Sequence, residues 1–425
     1  MLRALGSFEK AALVSNNYAP FNVTSVIRMQ NAPAPEAVQR ALDQLQQTHP
    51  LLKSIIVETE NGPWFQEVTS APKIPLEIIE DPSDTLWKLI AEQEMGYSFS
   101  KEKPPMAKAV YIISDSKGDF ILTSHHALID GSAGAYLIEQ FLKLCADPNY
   151  TCPPAPIPEI KNDNLPLEYH GRKKISKLAR FALSQLSSEI TYQIENVGKR
   201  TPKVRHGGQG KVISISLTKE LTNKIANQGR RERVTLNSIL NAAQLLAVNK
   251  ILYSGEKAAM QTFSFADLRP YLQPEIPPNS LGGWVTLFRI LLNVSGKVPF
   301  WDFVKTLHQK ITDSLNRGDK YNAFLTSEAL LKMMIKMDAF RFGSSAINYG
   351  GVLPIHNQYG DIKVTSIHGL VSGYDLAPEL SSQARIFNDQ IIWDFIYLST
   401  DMDETTALQL VNEIISILES SVSDL

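Results

Sequence analysis

The chain has 425 residues, 44% of them hydrophobic, with 42 Lys and Arg set against 44 Asp and Glu for a formal net charge of -2. That balance gives no basic footprint for nucleic acid and no broad field for membranes, so any polyanion would need a local patch. At roughly 150 residues per domain, the length predicts two or three domains. The N-terminus lacks the long apolar core of a signal peptide, and no run approaches the ~18 apolar residues of a transmembrane span, so the expected location is cytoplasmic. Cys145 and Cys152 flank a Pro-containing break, which argues against a disulfide framework or a thiolate zinc site and leaves Cys145 as an apolar helix residue.

In chain order, Asn22 to Met29 reads as a strand and residues 35–49 as a helix whose Val38, Ala41, Leu42 and Leu45 share one face. His49-Pro50-Leu51-Leu52 is a turn into a strand over Ser54 to Val57, paired with Trp64 to Val68 across Asn61-Gly62. Residues 85–95 form another helix. Met106 to Ile113 and Asp119 to Ser124 are short apolar runs separated by Ser114 to Gly118, the pattern of a hairpin. The hairpin leads into Ser124-His125-His126-Ala127-Leu128-Ile129-Asp130-Gly131-Ser132-Ala133-Gly134. After it, Ala135, Ile138, Phe141, Leu142 and Cys145 recur at helical spacing as far as Asp147-Pro148. The segment is therefore a strand-to-helix turn leaving the end of a sheet, where side chains are both rigid and reachable.

Pro148, Pro153, Pro154, Pro156, Pro158 and Pro166 then lie among Asn and Asp, the best linker in the chain. It divides an N-terminal lobe (1–165) from a linker and crossover helix (166–205) and a C-terminal lobe (206–425). In the crossover helix Ile175, Leu178, Ala182, Leu186 and Ile190 form a stripe behind Arg172-Lys173-Lys174. The pattern predicts a helix packed across the lobes with a solvated basic start; a membrane-surface helix is the alternative.

Beyond Gly207-Gly208-Gln209-Gly210 come a strand (211–217), helices over 218–228 and 235–252, the second capped by Thr235, and a strand over 261–265 running into Ala266-Asp267-Leu268-Arg269-Pro270. Leu281-Gly282-Gly283-Trp284 precedes a strand (285–292), residues 301–315 are helical, 346–351 and 391–397 are strands, and 403–418 is a closing helix. Gln228-Gly229-Arg230-Arg231-Glu232-Arg233 is a loop-borne basic cluster: a solvated loop, or a cradle for coenzyme A phosphates or an acidic carrier.

Taken as residues alone, His126 at the end of a strand is a general-base candidate at neutral pH. Asp130, one helical turn on, either orients that ring or pairs with a distant cation to hold the turn. The neighbours His125 and His126 point to different sides of an extended chain and no second ligand cluster accompanies them, so no metal site is expected. His49 before Pro50 reads as a turn residue. The absence of a Gly-rich phosphate loop predicts no tightly bound nucleotide cofactor.

His125-His126-Ala127-Leu128-Ile129-Asp130-Gly131 resembles the HHxxxDG signature of the acyltransferase superfamily that includes condensation domains, alcohol acetyltransferases, polyketide-associated mycocerosyl transferases and chloramphenicol acetyltransferase. Ala41 to Leu52 is similar to the family's early helix-turn, Asp267-Leu268-Arg269-Pro270 to its arginine-bearing segment and Ala346-Ile347-Asn348-Tyr349-Gly350 to its Asn-Gly strand. No close copy of the plant DFGWG segment is present, and Leu281-Gly282-Gly283-Trp284 is not equated with it.

The resemblance implies an α/β (α+β) fold of two chloramphenicol-acetyltransferase-like lobes, each a mixed sheet flanked by helices, with the active-site tunnel between them. It implies an acyltransferase of natural-product type in which His126 is the base and Asp130 pairs with Arg269, with His125 and Gly131 supporting the site. Asn348, Ser132 and Trp284 are the candidates for contacting substrate or the oxyanion. The donor would be a thioester, acyl-CoA or a phosphopantetheine-bound acyl group on a carrier protein. The acceptor would be a small or lipidic alcohol, with ester formation and no covalent enzyme intermediate. Amide formation from an amine, as in condensation enzymes, and a non-catalytic condensation-like module are the alternatives; no nucleic-acid partner is implied.

Overall fold

The computed structural model describes residues 1–159, 164–196, 207–336, 343–372 and 377–423. The first half contains β1 (Arg3–Ala4), α1 (Ser7–Tyr18), β2 (Asn22–Gln30), α2 (Pro35–Thr48), β3 (Ser54–Thr59), β4 (Gly62–Glu67), β5 (Leu76–Glu80), α3 (Leu86–Met95), β6 (Ala107–Ser114), β7 (Lys117–His125) and α4 (Gly131–Ala146). The long α5 (Gly171–Glu195) follows the linker. The second half runs through β8 (Gly210–Ser216), α6 (Lys219–Glu232), α7 (Leu236–Leu252), β9 (Ala258–Asp267), β10 (Val285–Val294), α8 (Phe300–Asn316) and α9 (Asp319–Ile335). It ends with β11 (Ser345–Val352), β12 (Gln358–Tyr359), β13 (Ile362–Val371), β14 (Leu380–Phe387), β15 (Gln390–Leu398) and α10 (Glu404–Ser420).

The predicted α/β architecture is present as two six-stranded mixed sheets, ordered β12-β13-β2-β7-β6-β5 and β10-β9-β11-β14-β15-β8, plus a small β1-β4-β3 sheet. Local chemistry explains most elements. Pro35 starts α2, where a missing N–H costs nothing, and Val38, Ala41, Leu42 and Leu45 are all buried in the first core. Thr235 caps α7 by accepting the Ser238 N–H at 3.3 Å. α7 is buried along nearly its whole surface in the second core, between the sheet and α8 and α10.

One feature crosses the predicted division. Residues 358–371 lie in the C-terminal half of the sequence, yet β13 pairs antiparallel with β2, His368 opposite Val26, and so completes the first sheet. At the seam, His368 Nδ1 lies 2.7 Å from Asp394 Oδ1 on β15, and Arg385 on β14 donates to Asp394 Oδ2 at 2.6 Å. Trp87 stacks on the His368 ring at 4.5 Å. Burial alone would raise the Asp394 carboxyl; the charges of Arg385 and His368 outweigh it and hold that carboxyl well below the usual range.

Two helical expectations are corrected. Residues 228–233 are not a loop: α6 extends to Glu232, Gly229 is buried under Ile239, and Arg233 ends the helix in the left-handed region at φ 58°. The exposed Arg230 and Arg231 thus lie in the last turn of a helix, where its dipole favours cations. The α5 stripe does not pack across the lobes, since Ile175, Ala182, Leu186 and Ile190 are exposed and only Leu178 is partly covered. Residues 160–163 of the linker and 197–206, the end of the expected crossover segment before the second lobe, lie outside the described residues.

Candidate active site

β7 ends at His125, antiparallel to β2, with Asn22 opposite His125. The chain turns sharply there because His126 N–H donates to Phe21 O at 2.9 Å and Leu128 N–H to His125 O at 2.9 Å. His126 packs between Phe8 of α1, 5.1 Å centroid to centroid and edge-on, and Phe21, at 4.6 Å. Its Nδ1 lies 3.0 Å from the Ile129 carbonyl. A carbonyl only accepts, so Nδ1 carries the proton and Nε2 keeps its lone pair. Burial lowers the His126 pKa, against smaller raising effects from its backbone hydrogen bonds and from Asp130. The imidazole is therefore neutral at pH 7.

His125 has the opposite tautomer. Its Nδ1 accepts the Ala127 N–H at 3.0 Å, so the proton sits on Nε2. Burial, with the neighbouring His126 charge adding to it, pushes its pKa down to about 4. The two adjacent histidines thus divide into one that braces the turn and one, His126, whose basic Nε2 has no hydrogen-bond partner among the described residues. His49 is a third buried histidine, its Nε2–H donating to Gln140 Oε1 at 2.7 Å behind the turn.

Asp130 is the N-cap of α4, its Oδ1 accepting the Ala133 N–H at 3.0 Å. It also meets the second half of the chain. Arg269 Nη2 donates to Asp130 Oδ1 and Nη1 lies 3.0 Å from Oδ2, with both side chains no more than 3% exposed. Trp284 N–H donates to Oδ2 at 2.8 Å, and Arg269 Nη2 also donates to Ser280 O at 3.0 Å. Asp267 Oδ1 holds the same guanidinium from the other side, at 3.1 Å. Arg269 and Asp130 are therefore brought together with both Asp130 carboxylate oxygens occupied, and among the described residues Asp130 makes no hydrogen bond to the His126 ring.

A second lock comes from the N-terminus, which the sequence patterns do not flag. Arg3 forms a two-pronged pair with Glu9 at 2.7 and 2.6 Å, and Glu9 Oε1 accepts the Gly283 N–H at 3.0 Å. Gly282, bridged to Ile129, has φ +127°, and a Cβ there would lie 2.6 Å from both Arg3 Nη2 and Glu9 Oε1. Gly282→Ala is expected to cost about 1 to 3 kcal/mol from the backbone alone and more from the clash, read as a lower urea midpoint.

The remaining candidates fall into two groups. Asn348 on β11 reaches across from the second sheet, its Nδ2 lying 3.7 Å from where a Gly131 Cβ would stand. Among the described residues its side chain has no hydrogen-bond partner, and it sits beside the exposed Gly131 and half-buried Ser132 at the open end of α4. Trp284 differs: its indole N–H donates to Leu281 O at 3.2 Å and the ring is fully buried, so its one donor is committed inside the fold. Among the described residues, no group of three or more His, Cys, Asp or Glu is placed to hold a metal ion.

Two six-stranded mixed sheets, with the buried Asp130–Arg269 pair tying the start of α4 to the segment after β9, make a two-lobed fold of the kind seen in condensation domains and chloramphenicol-acetyltransferase-like proteins. Residues 11–325 match the condensation-domain family model, and the chain belongs to that family. A phthiocerol/phthiodiolone dimycocerosyl transferase of Mycobacterium bovis is 24% identical over 293 residues, 66% of this chain and 67% of that protein. Among solved structures, polyketide synthase associated protein 5 from Mycobacterium tuberculosis superposes with a TM-score of 0.71 at 18% identity, covering 100% of this chain and 99% of that one. TRI3 trichothecene 15-O-acetyltransferase from Fusarium sporotrichioides gives a TM-score of 0.77 at 13% identity, covering 98% and 94%.

Proposed function

We propose that the protein transfers an acyl group from a thioester, on coenzyme A or on a carrier protein, to an alcohol, with His126 as general base. The observation that carries this reading is the His126 tautomer: Nδ1–H is tied to Ile129 O, which leaves Nε2 as an unused, neutral, rigidly held base. The relatives, an acyltransferase and an O-acetyltransferase by name, support ester formation. Nε2 takes the hydroxyl proton as the alcohol oxygen attacks the thioester carbonyl. The tetrahedral oxyanion then collapses, the carbon–sulfur bond breaks, and the imidazolium returns the proton to the leaving thiolate. No side chain need be acylated. Asn348 Nδ2 and the amides opening α4 at Gly131 and Ser132 are the candidate donors to the oxyanion.

Purified protein incubated with acyl-CoA donors of varied length and a mixture of alcohols and amines should release free thiol and form esters, followed by product mass. Amide products alone would move the reading to the amide-forming condensation enzymes. Because burial lowers the His126 pKa, the base stays deprotonated to lower pH than a free histidine. The acid limb of kcat/KM against pH should therefore turn down below about 6.5.

A further inference from the structure

α5 is amphipathic in the reverse of the usual sense. The side that docks on the second lobe is largely polar: Arg289 of β10 donates to Gln185 Oε1 at 3.2 Å and to Glu189 Oε2 at 2.5 Å, and Asn196, just past the helix, donates to Ala259 O at 2.6 Å. Phe181 and Tyr192 supply its buried apolar contact. The opposite side carries Ile175, Leu183, Leu186, Ile190 and Ile194, whose spacing places them in one stripe. Their exposure runs from 50% at Ile190 to 68% at Ile175 and Ile194. A surface helix ordinarily turns such a stripe inward.

Charge identifies what this face fits. Arg172, Lys173 and Arg180 are exposed in the first half of α5, and no Asp or Glu occurs from Gly171 through Ser188. Glu189 is buried against Arg289, which leaves Glu195, at the far end, as the exposed carboxylate of the helix. A second copy of the chain seated on this face would bring two such basic surfaces together with one carboxylate apiece to answer them. An anionic lipid surface answers both features, since its acyl region takes the stripe and its headgroups take the cations. No described helix is long and apolar enough to cross a membrane, so α5 would lie on the surface.

We propose that α5 is an interfacial helix that docks the protein on an anionic lipid surface through Ile175, Leu183, Leu186, Ile190 and Ile194. Flotation of the full chain with vesicles of phosphatidylcholine and phosphatidylglycerol tests it. Wild type should float with the mixed vesicles, on the order of tenfold less with phosphatidylcholine alone, and less as salt rises. Leu183→Glu/Leu186→Glu should reduce flotation on the order of tenfold or more, with thermal unfolding unchanged because both positions are exposed. Arg172→Glu/Lys173→Glu should also weaken binding without touching the stripe. Failure of wild type to float, or equal flotation of the leucine variant, overturns the proposal. So does a dimer that the leucine variant dissolves in the absence of vesicle binding.

Discussion

His126→Ala should slow acyl transfer by about 10² to 10⁴-fold, the usual contribution of a positioned base, with the fold retained. The ring fills a slot between Phe8 and Phe21 and its Nδ1–H bonds Ile129 O, so its loss leaves a small void and one carbonyl without that partner, but the turn around it is held as well by backbone bonds and by His125. His125→Ala provides the contrast. It removes the acceptor for the Ala127 N–H and should lower stability by about 1 to 3 kcal/mol. The rate lost by this variant should recover wherever the protein remains folded. Thiol release and product mass, measured beside thermal unfolding, separate the two effects. If His126→Ala matches wild type in both rate and yield, the base lies elsewhere and the proposed chemistry fails.

The parts of this site that follow one another in the chain are legible in the sequence, and the parts brought from far away are only partly so. The hairpin, the strand-to-helix turn and α4 announce themselves through short apolar runs and helical spacing around His125 to Gly134. Arg269 is reachable only through the resemblance of Asp267-Leu268-Arg269-Pro270, because nothing in local periodicity relates residue 269 to residue 130. Phe8 and Glu9 are missed altogether. They sit on α1, a short helix with a weak pattern, and their roles arise from packing against His126 and Gly283. β13 is missed as well, and local pattern could not have said that a strand so late in the chain pairs with β2 and completes the first sheet. α5 shows the limit from another side, since spacing finds the stripe but not the direction it faces. Here the Arg289 contacts with Gln185 and Glu189 decide that direction.

Removing one member of the Asp130–Arg269 pair should destabilise the protein by about 3 to 5 kcal/mol, because the charge left behind is buried without its counter-ion. Asp130→Asn and Asp130→Ala should differ in how they do so. Asn can still cap α4 through the Ala133 N–H, so its cost is chiefly the lost charge, whereas Ala also gives up the cap, worth about 1 kcal/mol. Arg269→Ala removes the donor to Ser280 O as well, while Asp267, which itself lies closer to solvent, also loses its partner. If the pair acts as a unit, Asp130→Asn/Arg269→Gln should cost clearly less than the sum of the two singles in urea denaturation. Additive costs would show that each residue acts through its other contacts instead. The pair also ties α4 to the 280–284 segment, so activity in these variants should fall along with the folded fraction. Stabilising conditions should restore it, which they cannot do for His126→Ala. That difference distinguishes a residue that holds the turn from one that uses it.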